Sequence, residues 1–296
     1  MNPFPLVTTD WLAEQLDAVG ADKNIVPVDA SWHMPANKRK ARAEYDTAHI
    51  PGAVFFDIDN NIKVAAHLPH MMMRADEFEG VVRKLGISND DTIVVYDNSD
   101  VRSAARVWWN FRVMGHENVF VLNGGLQKWL AEGRPVTDAK TERAPGTFRA
   151  TLKPARLRCQ DDLYMNLKSK KEQVIDARAK GRFEGTEPEP RKGLRSGHIP
   201  YALNVPFSTL FAPDHTLKPA DEIRAVFEDA GVDLDKPVVT SCGSGITACV
   251  LKLALLTLGK RDVSVYDGSW TEWGADPALP IETGPAQRHD RQQENA

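Results

Sequence analysis

The chain of 296 residues corresponds to about two domains of roughly 150 residues each. Hydrophobic residues make up 42% and charged residues 26%, which marks a globular chain and excludes a disordered one. With 37 basic against 41 acidic side chains the formal charge is −4, which argues against a nucleic-acid partner gripped through its phosphates.

In chain order, the opening MNPFPLVTTDWL lacks the basic start and apolar stretch of a signal peptide. Thr9 or Asp10 is placed to cap a helix running towards Gly20. Residues 26–29, 93–96 and 119–122 are short β-branched runs that read as buried strands. Between them, residues 74–85 carry apolar positions at helical spacing and stop at Gly86. Residues 138–154 mix Lys, Thr, Arg, Pro and Gly without periodicity, as a linker does. The strand pattern then returns at 174–176, 237–241 and 263–266, with a helix over 220–230 that stops at Gly231. An apolar helix begins near Ala248. The run 246–258 is shorter than the ~18 residues of a membrane span and carries Lys252, so no membrane partner is expected.

The second series echoes the first. RADEFEGVVRKLGI matches PADEIRAVFEDAGV, DTIVVYDNSD matches DKPVVTSCGS, and AHIPGAVFF matches GHIPYALNVPF. The chain is therefore a duplicated α/β unit, each copy a mostly parallel sheet flanked by helices. The expected division is a first domain at 1–140, a linker at 141–157, a second domain at 158–285 and a polar tail at 286–296.

Three widely spaced cysteines, Cys159, Cys242 and Cys249, exclude a disulfide scaffold and a four-cysteine zinc site, and they fit a reducing cytoplasm. Cys249 is in phase with Leu253 and Leu256 and belongs to the core, and Cys159 carries no partner pattern. Cys242 differs from both. It follows the strand 237–241 and opens the stretch Gly243, Ser244, Gly245, Ile246, Thr247 before the apolar helix. Open α/β sheets place their ligands at such carboxyl ends of strands. Gly243 and Gly245 permit the positive φ that curls backbone N–H groups inwards, and with the helix N-terminus these favour an anion on the sulfur. A thiol so placed is expected to ionise more readily than the free value of about 8.5. The first half carries Asp97 at the matching position and so has no thiol there. Phosphatases of the Cys-x5-Arg type use a similar loop, but the arginine position here is Ala248 and the loop holds no cation.

These residues resemble the rhodanese superfamily, over nearly the whole chain and both repeats. The resemblance rests on CGSGITACV at 242–250, GRFEGTEPEPR at 181–191, HIPGAVFFDID at 49–59 and RVWWNFRVMGH at 106–116. It implies two tandem rhodanese-like domains and sulfur transfer through a persulfide on Cys242. Thiosulfate-using members carry basic residues after the cysteine, so the uncharged loop implies 3-mercaptopyruvate as the donor, with pyruvate released. Carried over by residue, Arg182 and Arg191 resemble the arginines that bind the keto acid. Residues Gly243, Gly245, Ile246 and Thr247 form the loop around the bound sulfur. Ser244, with Asp59 and His70 of the first half, resembles a proton-handling group. His70 is preferred to His67 by its spacing from Asp59. The acceptor implied is a small thiol, a thioredoxin-like protein or cyanide, and neither a metal nor an organic cofactor is implied. The alternatives are a thiosulfate:cyanide sulfurtransferase and a non-catalytic persulfide carrier.

Overall fold

The computed structural model describes residues 5–17, 24–61 and 68–287. Gly20, His67 and the tail beyond residue 287 lie outside them. Among the described residues, ten strands form two five-stranded sheets. The first half holds β1 (Leu6–Val7), β2 (Ile25–Asp29), β3 (Val54–Phe55), β4 (Thr92–Tyr96) and β5 (Val119–Leu122), in the order β1-β5-β4-β2-β3. The second holds β6 (Leu157–Arg158), β7 (Gln173–Asp176), β8 (Leu203–Asn204), β9 (Val238–Ser241) and β10 (Val263–Tyr266), in the order β6-β10-β9-β7-β8. Every pairing is parallel. The six expected strands are the inner ones, where burial on both faces demands continuous apolar runs. The four edge strands have two residues each, too few to leave a periodic signal. Leu157, inside the expected linker, already belongs to the second sheet.

The helix over Thr9–Asp17 is capped by Thr8, whose Oγ1 accepts the Trp11 N–H at 3.1 Å, and not by Thr9 or Asp10. Thr9 is buried in the first turn and Asp10 pairs with Arg134. Helices Ala75–Lys84 and Ala220–Asp229 both stop where expected, before Gly86 and Gly231 at φ 75° and 87°. Residues 141–153 form no regular element, yet they are strapped to the first domain. Gly146 N–H donates to the Arg83 carbonyl and Ala150 N–H to Glu79, and the fully buried Phe148 packs on Phe78 and Phe111.

Helices Ala104–Val113 and Ala248–Thr257 follow the two central strands and pack on each other across the domain boundary. Both are buried on nearly all sides, as apolar helices in a core are. One apolar cluster therefore runs from Val26 in the first sheet to Val265 in the second. The arrangement brings the end of β9 against loops of the first domain. No helix among the described residues is long and apolar enough to cross a membrane.

Candidate active site

Strand β9 ends at Ser241, and residues 242–247 turn into the helix starting at Ala248. The turn is held from outside by the helix Ser269–Trp273: Trp270 N–H donates to the Cys242 carbonyl at 2.9 Å and Thr271 N–H to that of Gly243 at 2.8 Å. Ser269 Oγ accepts the Cys242 N–H at 3.1 Å. With the carbonyls drawn outwards, the N–H groups of residues 243–247 donate to no protein acceptor among the described residues. They are available to an anion. Gly245 takes the left-handed φ of 77°. Gly243 does not, which corrects the expectation that both glycines curl the loop. Gly243 instead gives room: a Cβ there would stand 3.0 Å from Arg182 Nη2. Ile246 is buried and Thr247 half-buried at the loop's end.

Cys242 is only 2% exposed. Cys249 is fully buried beneath it, its thiol donating to the Gly245 carbonyl, and burial pushes its pKa up to about 12. It is a core residue, as its phase on the helix implied. Cys159 is exposed at the head of the helix Gln160–Ser169.

The first domain supplies the facing wall. His70 Nδ1 lies 3.2 Å from Ser244 Oγ, and His70 Nε2 lies 3.2 Å from Asp59 Oδ1. The carboxylate can only accept, so Nε2 carries the proton and Nδ1 accepts the Ser244 hydroxyl. Burial holds the His70 pKa below its ordinary value, against the pull of Asp59. The bond from His70 keeps the Asp59 carboxyl below the usual range. Ser244, His70 and Asp59 thus form one line across the domain boundary. Trp32 completes it: its Nε1 donates to Asp59 Oδ1 at 2.8 Å and its ring meets His70 edge-on at 4.9 Å.

The two arginines enter from the second domain and behave differently. Arg182, on the helix Lys180–Glu184, donates to both oxygens of Glu189, at 3.2 and 2.6 Å. Glu189 also holds the buried Arg178, which is paired with Asp176 at the end of β7. Arg191 makes no ion pair among the described residues. Burial holds its pKa below the usual arginine value, and the charges of Cys242, Arg182, Glu189 and Asp59 all act on it. An always-charged, half-buried guanidinium without a partner, next to a cysteine, is a ready receptor for a carboxylate. No group of His, Cys, Asp and Glu among the described residues could hold a metal ion.

Trp32, Glu189, Arg106 and Asp267 stand in or against the site but had no role assigned from the sequence, although Glu189 and Arg106 lie inside its motifs. For Arg106 a signal existed, since it is a charge within an apolar helical run, AARVWWNFRV, and a buried charge requires a partner. For Trp32 the position just beyond the end of β2 was the only hint.

The rhodanese family, described as the rhodanese-like domain, matches the chain twice, at residues 8–132 and 160–276. The chain is 44% identical to human 3-mercaptopyruvate sulfurtransferase over 288 residues, covering 96% of this chain and 97% of that protein. It is 46% identical to rat thiosulfate sulfurtransferase over 271 residues, covering 90% and 91%. Among solved structures, SseA of Escherichia coli, described as a 3-mercaptopyruvate sulfotransferase, superposes with a TM-score of 0.82 at 40% identity, covering 90% of this chain and 99% of that one. The chain belongs to the rhodanese family and carries two rhodanese-like domains in tandem.

Proposed function

We propose that this protein is a 3-mercaptopyruvate sulfurtransferase that carries the transferred sulfur as a persulfide on Cys242. The Cys242 thiolate attacks the substrate sulfur; the S–S bond forms, the C–S bond breaks, and its electron pair leaves as pyruvate enolate. The proton of the substrate thiol passes through Ser244 and His70 to the enolate carbon, giving pyruvate and a persulfide anion. Supporting this route, neutral His70 accepts from Ser244 while Asp59 fixes its tautomer. The free N–H groups of residues 243–247 suit the persulfide anion in the manner of an oxyanion hole. Arg191, with Arg182 beside it, takes the substrate carboxylate and carbonyl. A thiol acceptor, small or on a thioredoxin-like protein, then removes the outer sulfur and restores Cys242. Three free cysteines fit a reducing compartment such as the cytoplasm.

The observation that carries the choice of donor is the distribution of charge. The residues after Cys242 hold no cation, whereas Arg182 and Arg191 stand to one side of it. Thiosulfate spreads its two negative charges over the reacting sulfur itself and the sulfonate oxygens bonded next to it. In 3-mercaptopyruvate the single negative charge is on a carboxylate two carbons beyond the one that bears sulfur. The second geometry matches a loop without a cation of its own, flanked by arginines from another segment. Measuring kcat/KM for both donors tests this: at least a tenfold preference for 3-mercaptopyruvate is expected, and a preference for thiosulfate overturns the donor assignment.

A further inference from the structure

Arg106 lies on the helix Ala104–Val113 and is completely buried, its guanidinium over the Trp109 ring at 4.7 Å. Burying a charge carries a desolvation cost that its partners must offset, and an apolar side chain of the same length would fill the space. The guanidinium instead reaches three separate segments. Nη2 donates to the His70 carbonyl at 2.5 Å and to Asp267 Oδ1 at 2.6 Å, and Nη1 donates to the Gly245 carbonyl at 3.2 Å. The second oxygen of Asp267 accepts the Met72 N–H at 2.8 Å.

These bonds grip both sides of the proton line. His70 is held at φ 62°, a left-handed conformation that a residue with a Cβ keeps only when its surroundings impose it. Arg106 takes the His70 carbonyl and Asp267 takes the N–H two residues on, so the turn is clamped on either flank. On the other side, a Cβ on Gly245 would lie 2.7 Å from Arg106 Nη1 and 2.6 Å from the Asp267 carbonyl oxygen. The loop that carries Ser244 is thus seated directly on the ion pair.

We propose that Arg106, paired with Asp267, is a positioning residue that locks His70 of one domain in register with Ser244 of the other for proton transfer. The proposal rests on the persulfide reading above. Arg106 meets neither Arg182 nor Arg191, so its loss acts on kcat and leaves KM nearly unchanged. The role needs a rigid fork with nitrogens aimed in different directions, which a lysine ammonium on a flexible stem does not supply.

The test compares Arg106→Lys, Ser244→Ala and wild type in steady-state release of pyruvate from 3-mercaptopyruvate, in H2O and in D2O, with intact-mass detection of sulfur on Cys242. For Arg106→Lys the expected result is a tenfold or greater loss of kcat, KM within twofold, and a solvent isotope effect on kcat larger than that of wild type. A purely structural bolt would lower thermal stability without enlarging the isotope effect. If Arg106→Lys does not fold, Arg106→Met/Asp267→Leu replaces the buried pair with apolar groups, a change that often preserves folding, and the same kinetics are expected. A folded variant with kcat within twofold of wild type overturns the proposal. If Ser244→Ala slows pyruvate release and Arg106→Lys does not, only the positioning role falls. If neither slows it, the proton line itself falls with it, and absence of sulfur on wild-type Cys242 removes the persulfide reading.

Discussion

Strand β4 leads into Asp97 and strand β9 into Cys242, and each residue begins a turn into a buried helix. The two turns are built alike. Leu126 N–H donates to the Asp97 carbonyl at 2.9 Å just as Trp270 N–H donates to that of Cys242. Even the facing histidines correspond, with His215 at φ 69° and His70 at φ 62°. The contents of the turns differ. Asp97 turns its carboxylate into its own loop, accepting the N–H groups of Ser99 at 2.9 Å and Ala104 at 2.7 Å. The first cradle is therefore filled by a resident anion, although burial pushes the Asp97 pKa above the usual carboxylate range. Opposite it His215 accepts from Arg102 at 2.8 Å and serves no serine line. In the second domain the N–H groups of residues 243–247 meet no protein acceptor among the described residues, and Cys242 stands where Asp97 does in the first. The same strand-turn-helix unit is filled by its own carboxylate in the first half and meets no protein acceptor among the described residues in the second, where the proposed reading seats the persulfide anion.

The strongest way to break this comparison is Cys242→Ser. Sulfur transfer is expected to vanish while the circular dichroism spectrum is retained; undiminished pyruvate release would refute the assignment of the open cradle. Next come the arginines. Because Arg191 has no ion pair among the described residues while Arg182 already serves Glu189, Arg191→Ala is expected to cost more in kcat/KM than Arg182→Ala. Loss of a charged hydrogen bond is worth about 1.5–3 kcal/mol, so a fall of roughly ten- to hundredfold is expected for Arg191→Ala in 3-mercaptopyruvate kinetics. A larger effect from Arg182→Ala would reverse their roles.

The third prediction concerns pH. Burial lowers the His70 pKa and the hydrogen bond to Asp59 opposes that. His70 is neutral at pH 7, so kcat falls on the acid side as the pH drops through a pKa below the ordinary value of about 6.5. Asp59→Asn removes the contribution that raises the pKa, and the acid limb of the profile is expected to move to lower pH. A shift to higher pH would show that His70 is not the titrating group. The smallest effect belongs to the first cradle. Asp97→Ala leaves the buried N–H groups of Ser99 and Ala104 without their acceptor, so stability is expected to drop by about 1–3 kcal/mol, with kcat within twofold of wild type. Thermal denaturation and the standard assay check both parts, and a large loss of kcat would tie the first cradle to catalysis.

Local sequence determined much of this protein. Central strands buried on both faces must be continuous runs of apolar residues, and two helices that stop at left-handed glycines show it in their last turn; both patterns repeat along the chain and identify the duplication. The turn after β9 was legible because strand, glycine and apolar helix are neighbours in sequence. Arg182, Arg191, Asp59 and His70 were reached through family motifs, since nothing local distinguishes them from solvated loop residues. What only the tertiary structure decided are the pairings between distant segments. Ser244 meets His70 across 174 positions. Asp267 meets Arg106 across 161. Such contacts depend on how two buried helices pack across the domain boundary, and no periodicity within either segment encodes which polar groups that packing brings face to face.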